Sequence, residues 1–412
     1  MNKRRNMQDT AKYIEEIEES LKQQFKAVEE IAQFNQEKVL KAFKKNTISL
    51  NHFYGSTGYG YGDLSRDTLY NLFADIVEAE SAIISPMIMS GTHAIGMALY
   101  GVLRPHDNVL SVTGRPYDTL EEVLASKNGS LADYFISFED ISLKGDDFDF
   151  ELLKEKLTSK KYKMVYVQRS RGYAWRNALS TAQIEELVKF VKAIDEDIII
   201  FIDNCYTEFV DTKEPTAVGA DIICGSMIKN PGAGIVATGG YIAGKKKYIE
   251  MVGGRFTVPS VGLEIGSFES GYRLFYQAMF LAPHTISQSI KGSLLFGKMM
   301  ENLGYETLPK AGSKCEDITR CIKFDTEDEL CGFIQSIQEV SPVDAHVKLE
   351  AWDMPGYTSK VIMAAGCFVQ GASLELSADA PICEPYVAYM QGGLTYEHCK
   401  YAAKTCLKKL IK

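Results

Sequence analysis

The stretch that decides the fold is residues 198–229, IIIFIDNCYTEFVDTKEPTAVGADIICGSMIK. It contains two short apolar runs, residues 198–202 and 222–224, and polar residues follow each run. Short, wholly apolar runs are typical of buried strands in a parallel sheet. Parallel strands bring their C-terminal ends to one edge, where open α/β sheets build their binding sites. We therefore expect Asp203, after the first run, and Lys229, after the second, to lie in one site.

Asp203 and Lys229 together suit pyridoxal phosphate. A lysine amine binds the aldehyde of this cofactor, and a carboxylate pairs with its pyridinium nitrogen. The alternative interpretation is an ordinary strand-end acid and a surface lysine. Lys229 is one of many lysines in the chain, so the pair alone does not decide between the two.

Length and composition describe a globular protein with more than one domain. The chain has 412 residues, of which 46% are hydrophobic and 24% charged, as is typical of soluble proteins of this size. A net charge of −9 argues against nucleic acid or an anionic membrane as the partner. No apolar stretch approaches the length of a membrane span, and no apolar segment follows the first six residues. We therefore expect a cytoplasmic protein without a secretory signal.

Cysteine and histidine spacing gives no sign of a metal site. The nine cysteines form no Cys-x-x-Cys pair, the six histidines form no His-Glu-x-x-His motif, and the cluster of Cys315, Cys321 and Cys331 fits no common zinc pattern. We expect free thiols in a reducing compartment and no bound metal.

Alternating apolar runs and helical patterns predict a large α/β domain over residues 54–284. The candidate strands are residues 82–84, 109–112, 134–137, 164–167, 198–202, 222–224 and 241–243. A helix is expected after Ser180, where Gln183 completes a capping box. This alternation predicts a mostly parallel sheet sandwiched by helices.

The two ends of the chain show residue patterns that differ from those of this central part. Residues 1–53 predict an N-terminal helical arm, with a helix over about residues 8–45 that packs on its own chain or on a partner. Residues 285–412 predict a smaller α+β domain, with a helix over residues 285–303 and a last helix from Thr395.

Further residues suit the same cofactor. Ser90, Gly91 and Thr92 precede a helical pattern, and backbone N–H groups at a helix N-terminus bind phosphate. An ordinary helix cap is the alternative interpretation. Ser226 offers a second hydroxyl to the same phosphate, and Tyr117 offers a ring to stack on a flat heterocycle. By itself, Tyr117 is more typical of a core or turn residue.

In chain order, these segments resemble fold-type-I pyridoxal-phosphate enzymes of the cystathionine lyase and methionine γ-lyase family. The similar segments are YGDLSRDTLYNLFADIVEAESAIISPMIMSGTHAIGMAL from Tyr61, Asp203-Asn204-Cys205, and GADIICGSMIK followed by GGYIAG. KNPGAGIVATGGYIAG and GGRFTVPSVGLEIG resemble the divergent branch known as aluminium-resistance proteins. The resemblance implies the fold of that family, pyridoxal phosphate on Lys229, and a homodimer or dimer of dimers with shared active sites.

The chain departs from the family at the position that reaches the phosphate of a neighbouring subunit. The family's Tyr-x-Arg motif falls on Gly58-Tyr59-Gly60, so its arginine is missing. Tyr59 or Tyr61 is the expected partial substitute.

A second departure concerns the substrate carboxylate. No arginine follows Arg320, so the carboxylate-binding arginine usual in the small domain is absent. The alternatives are Arg169, Arg171, Arg176 and Arg255. Arg255, in a glycine-rich segment, and Arg169, at a strand end, are the preferred two.

The resemblance implies a carbon–sulfur lyase acting on a sulfur-containing amino acid such as cystathionine, methionine or cysteine. Lys229 would carry the Cα proton, and burial and the cofactor are expected to lower its pKa. An aminotransferase, a γ-replacement enzyme and a pyridoxal-phosphate-binding protein without turnover are the alternatives. The missing arginine of the small domain keeps the last of these open.

Overall fold

The fold is that of a computed structural model, which describes residues 10–126, 129–354, 359–372 and 374–410. Two sheets, one of seven strands and one of five, are each packed against helices. Within the described ranges, no helix combines the length and apolar character needed to cross a membrane.

The larger sheet is mostly parallel. Its strands are β1 Ser81–Ser85, β2 Asn108–Ser111, β3 Ser137–Asp140, β4 Met164–Gln168, β5 Ile199–Asp203, β6 Ile222–Ser226 and β7 Gly240–Gly244. Their spatial order is β1-β7-β6-β5-β4-β2-β3. Strands β6, β5, β4, β2 and β3 run parallel, whereas β7 is antiparallel to β1 and to β6. The predicted α/β class is confirmed, and the fully buried β4, β5 and β6 form the centre of the core.

One predicted strand is displaced. The run at residues 134–137 was expected to be extended, but the strand there is Ser137–Asp140. Residues Ala132–Tyr134 form a 3-10 helix, and Phe135 ends it with a φ of 57° in the left-handed region. The other short 3-10 helices of the described residues are Leu50–Phe53, Pro215–Val218 and Asn230–Gly232.

The helices pack against the two sheets and against one another. They are α1 Thr10–Ser20, α2 Lys22–Lys45, α3 Leu64–Ile76, α4 Gly91–Val102, α5 Asp118–Ala125, α6 Phe150–Ser159, α7 Thr181–Ile194, α8 Lys246–Phe256, α9 Arg273–Asn302, α10 Glu327–Gln338 and α11 Tyr396–Leu410. The predicted capping box of α7 is confirmed. Ser180 Oγ accepts from the N–H of Gln183 at 3.2 Å, and Gln183 Oε1 accepts from the N–H of Ser180 at 3.0 Å.

The N-terminal arm packs on its own chain. It consists of two helices, α1 and α2, that meet at Leu21, and residues 8 and 9 of the predicted helix lie outside the described residues. The amide of Asn35 donates to the carbonyls of Phe209 and Asp211 at 3.1 and 2.9 Å. Glu18 accepts from Lys400 at 2.7 Å. These contacts hold the arm against its own chain.

The smaller sheet is antiparallel. Its strands are β8 Glu306–Leu308, β9 Thr319–Lys323, β10 Val361–Ala364, β11 Ser377–Pro381 and β12 Val387–Gln391, in the order β10-β11-β12-β9-β8. The long helix α9 leads into it. This helix begins at Arg273 and passes through Pro283, so it starts twelve residues before the predicted Thr285. The predicted limit between residues 284 and 285 therefore lies inside a continuous helix.

A buried ion pair ties the smaller sheet to the larger one. Arg171, in the loop after β4, binds Asp317, before β9, with Nε–Oδ2 and Nη2–Oδ1 distances of 3.2 and 3.1 Å. Both side chains are almost completely buried. Two-pronged Arg–carboxylate contacts fix orientation as well as distance, so this pair sets how the two sheets face each other.

Candidate active site

A cavity of about 390 Å³ lies between the two sheets. One wall is the C-terminal edge of the larger sheet, where Gln168, Asp203 and Ser226 end β4, β5 and β6. The opposite wall is formed by residues of the smaller sheet, Thr319, Met363, Ser377, Asp379, Tyr389 and Gln391. The cavity therefore occupies the position at which open α/β sheets bind their ligands.

Asp203 is a buried carboxylate at the bottom of this cavity. It is 3% exposed, and its Oδ1 accepts from the backbone N–H of Cys205 at 3.2 Å. Burial raises the pKa of Asp203 to about 6, although hydrogen bonds from Cys205 oppose the shift. A buried carboxylate is stabilised by a cation at its free side, and the pyridinium group of a cofactor is such a cation.

Lys229 extends into the same cavity from the turn that follows β6. Its backbone N–H donates to the carbonyl of Ser226 at 3.3 Å. Its Nζ donates to the carbonyl of Gly371 at 2.5 Å and lies 5.0 Å from the centre of the Tyr206 ring. The predicted neighbourhood of Asp203 and Lys229 is thus present, with both residues lining one cavity.

The pKa of Lys229 differs from the expectation of a lowered value. Burial lowers it, but the interactions with Tyr206, Cys205 and Asp379 outweigh burial, and the pKa is raised. The side chains around the amine therefore favour its cationic form. Lowering the pKa towards neutrality would be left to groups that the chain itself does not supply.

The N-terminus of α4 forms a third part of the cavity wall. Ser90 caps the helix, with its Oγ accepting from the N–H of His93 at 3.0 Å, so the ordinary capping role is present. Ser90, Gly91 and Thr92 also line the cavity. A Cβ on Gly91 would lie only 3.2 Å from the sulfur of Cys205. Glycine at this position therefore keeps the space between α4 and the strand ends open.

Tyr117 lines the cavity beside this helix end. Its hydroxyl lies 3.1 Å from Thr92 Oγ1, and its backbone N–H donates to Gln168 Oε1 at 3.1 Å. Burial raises the pKa of Tyr117, so the phenol is neutral and its ring offers an apolar face to the cavity.

The residues of the cavity fit pyridoxal phosphate. Asp203 provides the buried carboxylate for a ring nitrogen, and Lys229 provides an amine. The N-terminus of α4, with Ser90, Thr92 and Ser226, provides N–H and hydroxyl groups for a phosphate. The space kept by Gly91 lies between these donors and Cys205.

The structure corrects the expectation about the substrate arginines, none of which lines the cavity. Arg169 is fully buried, and it donates to Leu179 O, Asn204 Oδ1 and Thr181 Oγ1 at 3.0, 3.1 and 2.9 Å. Arg255 lies on α8, 5.4 Å from the ring of Tyr100. Arg171 is bound to Asp317, and Arg176 donates to main-chain carbonyls. These arginines are engaged elsewhere in the fold.

Tyr59 and Tyr61 do not line the cavity of their own chain. They are 73% and 67% exposed, with ring centres 5.9 Å apart. Their loop is held to a second loop, since Gly266 N–H donates to Tyr59 O at 2.9 Å and Ser267 Oγ donates to Gly58 O at 2.7 Å. Contact with the cofactor of a facing subunit stays a prediction for both tyrosines.

Sequence reasoning missed several cavity residues. Asp379 and Gln391 reach the cavity from the smaller sheet, where no sequence motif marks them. Tyr206 follows Cys205 directly and has a φ of 73°. Left-handed backbone in an aromatic residue is strained and often marks a functional site. Its place after the predicted Asp203-Asn204-Cys205 strand end was the available signal.

Comparison with known proteins agrees with this geometry. A model of the family described as methionine gamma-lyase matches residues 10–411. The chain belongs to the methionine gamma-lyase family. A relative in Bacillus subtilis, named uncharacterized protein YnbB, is 45% identical over 402 residues, which cover 96% of this chain and 95% of the relative.

Solved structures place the chain within a branch of the methionine gamma-lyase family. A crystal structure from Clostridium acetobutylicum shares 47% identity and a TM-score of 0.95, and the match covers 98% of this chain and 96% of that one. Its name describes a candidate cystathionine beta-lyase involved in aluminium resistance. The pyridoxal-5'-phosphate-dependent protein YhfS from Escherichia coli, at 13% identity and a TM-score of 0.63 over 92% and 97% of the two chains, shares the fold. The predicted resemblance to the aluminium-resistance branch is confirmed, and family membership implies pyridoxal phosphate.

Proposed function

We propose that this protein is a cytoplasmic pyridoxal-phosphate-dependent carbon–sulfur lyase that eliminates a thiol from a sulfur-containing amino acid such as cystathionine, methionine or cysteine. The observation that carries the proposal is the meeting of Lys229, Asp203 and the N-terminus of α4 in one cavity. Family membership supports the cofactor, and the name of the Clostridium acetobutylicum structure supports the reaction class. Nine unpaired cysteines suit a reducing compartment.

Each residue of the cavity has a separate task in this proposal. Pyridoxal phosphate, when bound, supplies an electron sink for the carbanion formed at the substrate Cα. Lys229 would hold the cofactor through Nζ, and the same Nζ, once free of the cofactor, would carry the Cα proton. Asp203 keeps a proton on the ring nitrogen. Ser90, Thr92 and Ser226 bind the phosphate.

The active site is proposed to be shared between two subunits of a homodimer or of a dimer of dimers. The exposed Tyr59 and Tyr61 would reach the phosphate of the facing chain, where the family has an arginine. A phenol hydroxyl gives a neutral contact that is weaker than a charge-assisted one. Closed symmetric assemblies are the commonest arrangement of soluble oligomers.

A substrate panel tests the proposed reaction. The cofactor-loaded protein is incubated with cystathionine, methionine and cysteine, and keto acid, ammonia and thiol are measured, with Lys229→Ala as the inactive control. Equal amounts of keto acid, ammonia and thiol are expected from at least one substrate. Pyruvate would indicate β-elimination, and 2-oxobutanoate would indicate γ-elimination.

Other outcomes of the same panel would contradict elimination. Amino-group transfer to an added keto acid, without thiol release, would indicate an aminotransferase. Incorporation of a second added thiol would indicate γ-replacement. Cofactor binding without any product would indicate a binding protein without turnover.

A further inference from the structure

The wall of the cavity formed by the smaller sheet has a net negative charge. Among the described residues of that wall, Asp379 is the one charged side chain. It lies on β11, where it pairs with Met363 of β10 and Tyr389 of β12, and all three line the cavity. Among the described residues, this wall therefore offers a ligand a carboxylate and no arginine.

The contacts of Asp379 within the protein are with neutral groups. Its Oδ2 accepts from the hydroxyl of Tyr173 at 3.4 Å and from Nε2 of Gln391 at 3.3 Å. Both distances are at the long end of the hydrogen-bond range. These donors hold the carboxylate in position but do not neutralise its charge.

The nearest source of positive charge is the amine across the cavity. Lys229 is the one cation among the described residues that line the cavity, and it lowers the pKa of Asp379, which burial raises to about 6. When the substrate is bound, the proposed function requires a neutral Lys229 amine to take up the Cα proton, so this amine does not serve as a permanent counter-charge. A buried carboxylate without a cationic partner is costly, and a ligand that brings a cation removes this cost.

We propose that Asp379 is a specificity-determining residue that binds a positively charged group on the substrate side chain. The preferred substrates are then thioether amino acids with a second, distal ammonium group. This inference rests on the proposed function, because it requires the substrate amine to bind the cofactor that Lys229 would hold. A substrate whose side chain reaches β11 meets a carboxylate that attracts a cation and repels an anion.

A charge series of matched ligands tests the inference. S-(2-aminoethyl)-L-cysteine, S-propyl-L-cysteine and S-carboxymethyl-L-cysteine share one thioether core, and their side chains end in a cation, a methyl group and an anion. Their dissociation constants are measured by calorimetry on the cofactor-loaded Lys229→Ala chain, which binds without turnover. In parallel, kcat/KM for keto acid release is measured with the unmodified enzyme. Compared with the propyl ligand, the aminoethyl ligand is expected to have a dissociation constant lower by about tenfold or more and a kcat/KM higher by about tenfold or more. The carboxymethyl ligand is expected to bind most weakly.

Two variants with the same change in net charge separate the role of Asp379 from a general charge effect. Asp379→Asn keeps the shape of the side chain and should remove most of the preference for the aminoethyl ligand. Asp325→Asn, on the exposed turn after β9, should leave the preference unchanged.

The outcomes distinguish this inference from the proposed function. Equal kcat/KM values for the aminoethyl and propyl substrates in the unmodified enzyme would overturn the role of Asp379 and leave the lyase standing. The role of Asp379 would also be overturned if the carboxymethyl ligand bound most tightly, or if Asp379→Asn kept the full preference for the aminoethyl ligand over the propyl ligand. If none of the three compounds yields keto acid, β-elimination from cysteine thioethers fails, and the substrate panel described above decides γ-elimination. The calorimetric ranking still decides whether Asp379 selects a cation.

Discussion

At the scale of single residues, the buried position of Asp203 suits a cofactor but lowers the stability of the cofactor-free protein when the carboxylate is ionised. Its pKa rises from 3.8 to about 6 through burial, so the folded chain binds this proton more tightly than the unfolded chain does. The protonated Asp203 therefore contributes to the free energy of unfolding at low pH, and this contribution is lost as the pH rises from about 4 to about 6. Above that range, the ionised carboxylate costs the cofactor-free chain on the order of 2–3 kcal/mol.

Replacing Asp203 by Asn should separate stability from function. We expect Asp203→Asn to raise the Tm of the cofactor-free protein at pH 8, and the two proteins to melt alike below about pH 4. The same variant should bind pyridoxal phosphate more weakly and lose about two orders of magnitude in turnover. Thermal unfolding at both pH values and a cofactor titration measure these effects. Wild-type affinity and turnover in the variant would refute the assigned role.

The site residues found from sequence share one physical property. Asp203 and Lys229 follow wholly apolar runs that could only be buried strands, so their place at one sheet edge follows from local pattern. Asp379 and Gln391 come from an antiparallel sheet whose packing against the larger one no local pattern encodes. Arg169 shows the reverse error, because its strand-end position was recognised but its hydrogen bonds direct it away from the cavity.

At the scale of elements, helix α4 contains two glycines whose surroundings differ, one at its N-terminus and one in its interior. A Cβ at Gly91 would meet Cys205 Sγ at 3.2 Å, whereas a Cβ at Gly96, in the interior of the same helix, meets Val123 at an ordinary 3.9 Å. We expect Gly91→Ala to weaken binding of pyridoxal phosphate, because the added methyl group takes space beside the phosphate donors.

The control for this helix is Gly96→Ala. Alanine favours a helix over glycine by up to about 1 kcal/mol, so this variant should keep wild-type cofactor affinity and melt at the same or a higher temperature. Cofactor titration and thermal unfolding of both variants provide the comparison. Equal cofactor affinity in Gly91→Ala and Gly96→Ala would show that the N-terminus of α4 does not bind the phosphate.

Helices and strands differ in how well the sequence predicted their limits. The central strands were located because each is a short, wholly apolar run. The helix that the sequence predicts from Thr285 begins just after Pro283, a residue type that usually ends or begins a helix. In the structure α9 continues through Pro283, with Phe275, Tyr276 and Met279 of the earlier turns buried. Tertiary burial outweighs the local signal there.

At the scale of the whole molecule, two paired loops predict an active site completed by a second subunit. The loop that carries Tyr59 and Tyr61 is fixed through Arg66, which donates to the carbonyls of Gly60 and Gly266 at 3.0 and 3.2 Å. Arg66 is 2% exposed, whereas both tyrosines are largely exposed. A rigid loop that presents aromatic side chains to solvent is suited to contact with another copy of the chain.

Mixing two inactive variants tests this shared site. Lys229→Ala and the double variant Tyr59→Phe/Tyr61→Phe are each expected to have little activity alone. In a hybrid dimer, one of the two sites combines an intact Lys229 with intact tyrosines from the other chain, so activity should return to about a quarter of the wild-type value in an equilibrated equal mixture. Hybrids that regain no activity, after subunit exchange is demonstrated, would show that each site is built from one chain.

The measurement that tests the central claim most directly is the chemical identification of the lysine that holds the cofactor. The protein is loaded with pyridoxal phosphate, reduced with borohydride, digested and analysed by peptide mass spectrometry, with Lys229→Ala as the control. We expect visible absorbance before reduction, a single pyridoxyl-modified peptide that contains Lys229, and no such peptide from the control. A modification on a different lysine, or equal labelling of the control, would contradict the assignment of this cavity as the active site.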